Sequence, residues 1–198
     1  MEQLIIILLV LASVIGLTFI IERGLALRWN KVVPESVEKA VETCRSEAEL
    51  PMLRRICEQN PSPLSRLLLA AADHRDWPKA ENIDALQTRA RHEVAQLERG
   101  LVVLEIVIGV APLLGLVGTI YGLITLFASL GESGLGDNAA LSKGIALALN
   151  ATLLGLLTAI PSLVAWSYYS KKVESLAVEM ETVCDQFLQQ HYRNGRKS

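Results

Sequence analysis

A few polar side chains stand inside long apolar stretches of this 198-residue chain, and their types suit the handling of a proton. Thr119 lies among Gly115, Gly118 and Gly122, whose spacing of i, i+3, i+7 puts them on one helix face. Thr152 lies among Gly144, Ala148, Ala151, Gly155 and Ala159, at steps of 4, 3, 4 and 4. In lipid, leucine gains little against leucine, and small residues that let backbones approach are what join helices. Two small faces, each with one hydroxyl, therefore read as a close packing surface carrying a sparse polar path. Thr158 and Ser162 continue the hydroxyls along the third stretch, where bonding to their own i−4 carbonyls is the plainer use. Asn150 is an amide that must find a partner at membrane depth, on the path or in a neighbouring subunit.

Glu105 is the one acid inside these stretches. A carboxylate in a membrane is costly and is therefore paired, protonated or functional. Two readings of it stay open, an ion-entry or relay group and an interfacial residue paired with an arginine such as Arg99 of a neighbour. Covalent catalysis is a poor fit. The apolar stretches hold no His, Cys, Lys or Arg, so they offer neither a nucleophile–base pair nor a metal set. The chain is expected to be no enzyme and to bind no cofactor or metal.

The elements that carry these residues follow from hydropathy. Residues 4–21 are an uncharged run of 18, residues 101–130 are apolar apart from Glu105, and residues 144–169 have no charge. A helix needs about 20 apolar residues to cross a bilayer, so each run can span. A soluble chain of this size has too little polar surface to cover three such helices. Met1-Glu2-Gln3 lacks the positive start of a signal peptide, and Glu22-Arg23-Gly24 follows without a small-residue cleavage site. The first run is therefore read as a retained span. Of 19 Lys and Arg, thirteen lie in residues 23–99 and five in 171–197, with Lys143 alone between spans two and three. The positive-inside rule then puts the N-terminus outside and the C-terminus in the cytoplasm. A net charge of −2 gives no reason to expect a nucleic-acid partner.

The expected organisation is a transmembrane helix at 1–22, a cytoplasmic helical region at 23–100, and a second transmembrane helix at 101–130. A periplasmic loop follows at 131–143, then a third transmembrane helix at 144–169 and a cytoplasmic helix with a basic tail at 170–198. Within the polar region, a helix starts near Pro34 to Ser36, and Pro51, Pro61 and Pro63 break the rest into short helices. From Asn82 the spacing of Ile83, Leu86, Ala90, Val94, Leu97 and Leu101 predicts one helix running unbroken into span two. Pro112 is expected to kink that helix by removing the donor for the Ile108 carbonyl, and Pro161 to interrupt the third span. Cys44, Cys57 and Cys184 match no zinc spacing and are expected to be reduced thiols. His74, His92 and His191 fall outside the spans.

The stretch APLLGLVGTIYGLITLF, followed by GIALALNATLLGLLTAIPSLVAWSYY, resembles the two signature spans of the MotA/TolQ/ExbB proton-channel family, in its ExbB/TolQ branch. The likeness covers about residues 98–169, and IIERGLALR after the first run fits the family's usual opening. The resemblance implies an all-α subunit of a ring, a homopentamer, whose second and third spans line a pore. It implies a partner inside that ring, an ExbD- or TolR-like single-span protein, present as a dimer with a membrane aspartate. It also implies a bacterial inner-membrane motor that uses the proton motive force for an outer-membrane process, such as import through a TonB-like protein or the Tol–Pal system. The family's pore threonines fall on Thr119 and Thr152. Its span-three glutamate falls on Leu147, so that acid is missing, and Glu105 is the candidate to replace it. A non-conducting scaffold and a related motor with another client, such as gliding, remain the alternatives.

Overall fold

A computed structural model describes residues 2–44, 49–133 and 138–194. The described residues form helices α1 (Glu2–Ala26), α2 (Trp29–Val32), α3 (Glu35–Thr43), α4 (Leu50–Gln59), α5 (Pro63–Asp73), α6 (Lys79–Glu98), α7 (Leu101–Ser133) and α8 (Asn138–Asn194). Three of these contain stretches long and apolar enough to cross a membrane, Gln3–Ala26, Leu101–Ala128 and Gly144–Tyr192. Contacts divide the chain into two compact units, Met1–Arg23 with Gly100–Tyr168 and Gly24–Arg99 with Tyr169–Ser198.

The first unit is the apolar one. α1 buries Ile5 and Leu9 in a cluster with Val107 and Ala111 of α7 and Ala159 of α8. Gly16, in register with Ile5 and Leu9, extends that contact, because a Cβ there would lie 3.0 Å from the Ser162 hydroxyl and 3.4 Å from Val107. Ile7, Leu113 and Leu157 remain more than half exposed. Water does not stabilise so much uncovered apolar surface; lipid or another chain does.

The second unit is a helical bundle with its own core. Val37 and Val41 of α3, Leu53 of α4, Leu64, Leu67 and Leu68 of α5, and Leu176 and Met180 of α8 are buried. The prolines that break this region also start its helices. Pro51 and Pro63 both sit in the first turn, where a missing N–H costs nothing. Ser62 caps α5 by accepting from the Ser65 backbone N–H at 3.1 Å. The buried Glu93 of α6 accepts a two-pronged bond from Arg66 of α5, at 2.8 Å from Nε and 2.5 Å from the second nitrogen. Asn82 donates to the Ala71 carbonyl at 3.1 Å and to the Tyr192 hydroxyl at 3.1 Å, and that hydroxyl donates to the Trp77 carbonyl at 2.9 Å. Cys44, Cys57 and Cys184 are free and buried.

Three expectations change. The helix from Asn82 does not run unbroken into the second apolar stretch. α6 ends at Glu98, a turn follows at Arg99 and Gly100, and α7 starts at Leu101. The Arg23 side chain lies against Gly100, in the space a Cβ would take. Pro161 does not interrupt α8, which runs through it. Pro161 is exposed, and the loss of one backbone bond is tolerated where the flanking turns remain packed. The connector is shorter than residues 131–143, because α7 continues to Ser133 and α8 begins at Asn138. Ala139, Ala140 and Leu141 favour helix, and no proline or glycine breaks it before Gly144. Residues 134–137, the side chains of Lys143 and Leu147, and the last four residues of the basic tail lie outside the described residues.

Two outcomes check the second unit. Arg66→Ala leaves the Glu93 carboxylate buried without its cation and is expected to cost roughly 2–3 kcal/mol, less than a fully buried pair because Arg66 is half-exposed. A urea melt of the protein in detergent, followed by α-helical circular dichroism, measures it. Burial pushes the Cys57 thiol up to about 11. At pH 8 it is therefore protonated, and folded protein is expected to resist iodoacetamide at Cys57 until denaturant is added.

Candidate functional site

The small residues of α7 and α8 pack on each other within one chain. A Cβ at Gly115 would lie 2.9 Å from the Ala151 carbonyl oxygen, and one at Gly155 would lie 2.6 Å from that of Ala111. These contacts are with backbone, which cannot step aside. A Cβ at Gly118 would meet the Ala151 methyl at 2.6 Å, and one at Gly122 would meet that of Ala148 at 2.9 Å. At Gly144 it would meet the Leu126 side chain at 2.5 Å. The spacing read from the sequence is thus a register of close contacts along two helices, backbone against backbone at Gly115 and Gly155.

That contact brings Thr119 and Thr152 together. Their hydroxyls meet directly across the two helices. The Thr119 hydroxyl is also 3.0 Å from the Ala148 carbonyl of the other helix and 3.2 Å from Gly115 of its own, and the Thr152 hydroxyl is 3.2 Å from the Gly115 carbonyl. Two hydroxyls carry two protons between them. They have three backbone contacts and each other to donate to, so the pattern can be redistributed without moving a helix. Whichever way each proton points, hydroxyl lone pairs remain to accept a bond from another group. Both threonines are half-buried, at the edge of the contact rather than sealed in it.

The other polar residues are not part of this cluster. Thr158 donates to the Leu154 carbonyl at 3.0 Å and Ser162 to the Thr158 carbonyl at 2.9 Å, each within its own helix. Ser162 is buried against Gly16 of α1. Asn150 is exposed, beside a crevice of about 410 Å³ that Gly118, Gly122 and Gly144 also line. Glu105 is exposed on α7. Pro112 lies inside α7. Gly109, three residues before it, differs from the glycines of the packed face, because a Cβ there would have no atom within 4 Å. Gly16 and Ala111 are contact residues that spacing alone did not single out. Ala111 is nearly as small as its glycine neighbours, and the signal was its place one turn before Gly115.

Gly155→Ala is expected to lower stability in detergent by roughly 1–3 kcal/mol, because its methyl must enter the Ala111 backbone. Gly109→Ala, in open space, is expected to be silent or slightly stabilising. Thermal unfolding of the two variants side by side checks the pair.

Comparison with known proteins fits this geometry. Residues 59–182 match the MotA/TolQ/ExbB proton channel family. The Tol-Pal system protein TolQ of Pseudomonas aeruginosa is 31% identical over 93% of this chain and 85% of its own length. The biopolymer transport protein ExbB of Aquifex aeolicus is 31% identical over 53% of this chain and 70% of its own. A putative biopolymer transport protein ExbB homolog of Methanothermobacter thermautotrophicus is 31% identical over 76% of this chain, which spans about half of that relative (53%). The matched span holds the whole glycine register of α7 and α8 and both paired threonines, and the chain belongs to the MotA/TolQ/ExbB proton channel family.

Proposed function

We propose that this chain is the channel and stator subunit of a proton-driven motor in the bacterial inner membrane. It works as a ring, a homopentamer, around a dimer of an ExbD- or TolR-like single-span protein whose membrane aspartate carries the proton. Its N-terminus faces outward and its charged bundle faces the cytoplasm, as the distribution of basic residues favours. The one observation that carries the reading is the Thr119–Thr152 pair. It offers hydroxyls that can donate to a carboxylate or accept from a carboxylic acid, so it suits a partner aspartate in either protonation state. Pro112, Gly115, Gly118, Gly122, Gly144, Ala148, Gly155 and Pro161 belong to the α7 and α8 wall that carries it, and Asn150 and Thr158 lie along α8. The motor energises an outer-membrane process such as import through a TonB-like protein. A Tol–Pal-type client is the second reading, favoured by a TolQ relative that matches nearly the whole chain.

Liposomes that contain the chain and its single-span partner are expected to take up protons under a membrane potential, and liposomes with the chain alone are not. Thr152→Val, which keeps the shape and removes the hydroxyl, is expected to lower that flux tenfold or more. Unchanged flux in the Val variant rejects the threonine route, and a ring that binds its partner without any flux supports the scaffold alternative.

A further inference from the structure

Glu105 has no hydrogen bond or ion pair among the described residues, although it stands in the apolar stretch of α7. It is the fifth residue of the apolar stretch Leu101–Ala128. Arg23 packs against Gly100, and Gly100 therefore lies at the level of charged residues. Glu105 is five residues further along α7, about 7 Å deeper at 1.5 Å per residue. Val102, Ile106, Val110 and Leu113 are exposed around it. A carboxylate in that setting needs water or another chain, since hydrocarbon cannot solvate it.

Its position on the helix is specific. Glu105, Pro112 and Thr119 are spaced i, i+7, i+14, so they share one stripe that drifts only about 20° per heptad. The stripe leads from the carboxylate to the threonine pair over roughly 21 Å of helix axis. Pro112 has no N–H, so the Ile108 carbonyl beside that stripe lacks its usual i+4 donor and is free to accept from water. Gly109, one turn beyond Glu105, is exposed with open space where a side chain would be. A carboxylate, a spare carbonyl and a side-chain-free gap thus adjoin one another on an otherwise apolar surface. The open space at Gly109 is where water could stand next to the acid.

We propose that Glu105 is a proton-relay residue, the carboxylate through which protons from the Thr119–Thr152 level reach the water at the Leu101 end of α7. The step is a simple exchange. A hydronium ion beside Gly109 gives its proton to the carboxylate and becomes water; the neutral acid then releases that proton to water on the other side and is a carboxylate again. Nothing is consumed. The proposal rests on the proton-channel reading and adds a residue to it.

The test reconstitutes the full chain with its single-span partner and compares wild type, Glu105→Gln, Glu105→Asp and Thr152→Val, with ring size measured by native mass spectrometry. Glu105→Gln is expected to assemble normally and to lose at least tenfold in flux, and Glu105→Asp to recover most of it. Dicyclohexylcarbodiimide, which modifies protonated carboxyls in apolar surroundings, is expected to label Glu105 in the wild-type ring and to block flux. Full flux in Glu105→Gln, while Thr152→Val has lost it, overturns the relay and leaves the channel intact. Failure of the Gln variant to assemble, with Asp unable to restore the ring, assigns Glu105 to pairing between subunits and likewise overturns the relay. Absence of flux from the wild-type complex removes the channel reading itself.

Discussion

The approach of the α7 and α8 backbones is the constraint on which the apolar unit depends. Gly115 faces the Ala151 carbonyl and Gly155 faces that of Ala111, at distances that admit no Cβ. In a bilayer such contact is what holds helices together, since apolar side chains gain nothing by leaving lipid for one another. It also fixes where the polar atoms go. The Thr119 and Thr152 hydroxyls meet because the glycines bring their helices to backbone distance. Larger residues at 115 or 155 would separate the hydroxyls as well as the helices.

The polar unit uses the opposite chemistry. Its helices from α2 to α5 are short, and none is long enough to be stable alone. Buried leucines and valines supply the driving force, and side-chain bonds between helices set the arrangement. Arg66 ties α5 to α6 through Glu93, and Asn82 ties the start of α6 to α5 and to Tyr192 at the end of α8. The partners are 27, 11 and 110 residues apart in sequence, so no local pattern announces them.

That separation explains what the sequence showed and what it hid. Three apolar runs, the small-residue faces and the paired threonines were legible, because hydropathy and a 3.6-residue period are local properties. Periodicity tells which residues share a face but not what the face meets. The partner of Gly115 lies on another helix, and only the structure names it. Glu93 was invisible for the same reason, since a lone Glu on a charged helix reads as solvated until Arg66 is placed against it. The turn at Arg99 and Gly100 was missed because the apolar spacing continues from Leu97 to Leu101 across it. The Arg23 side chain that lies against Gly100 comes from a different helix, so no local pattern announces it. Pro51 and Pro63 were read as stops, while the structure uses them as starts. A proline restricts its own φ and the residue before it, and both facts fit the end of one helix or the beginning of the next.

A single copy of the chain leaves several groups without the surroundings they need. The Glu105 carboxylate and the Asn150 amide are exposed among the exposed Ile, Leu and Val side chains of α7 and α8. Lipid solvates the aliphatic residues and neither of the polar ones. The surfaces bearing these two groups must therefore face protein or water in the working protein. Water reaches membrane depth only where protein keeps lipid away, so even a hydrated Glu105 requires further helices around it. Among the described residues of the apolar unit, α1, α7 and α8 already bury their small faces against one another and leave none over for that purpose. The polar atoms left outside that packing are thus the physical argument for an assembly of more than one chain.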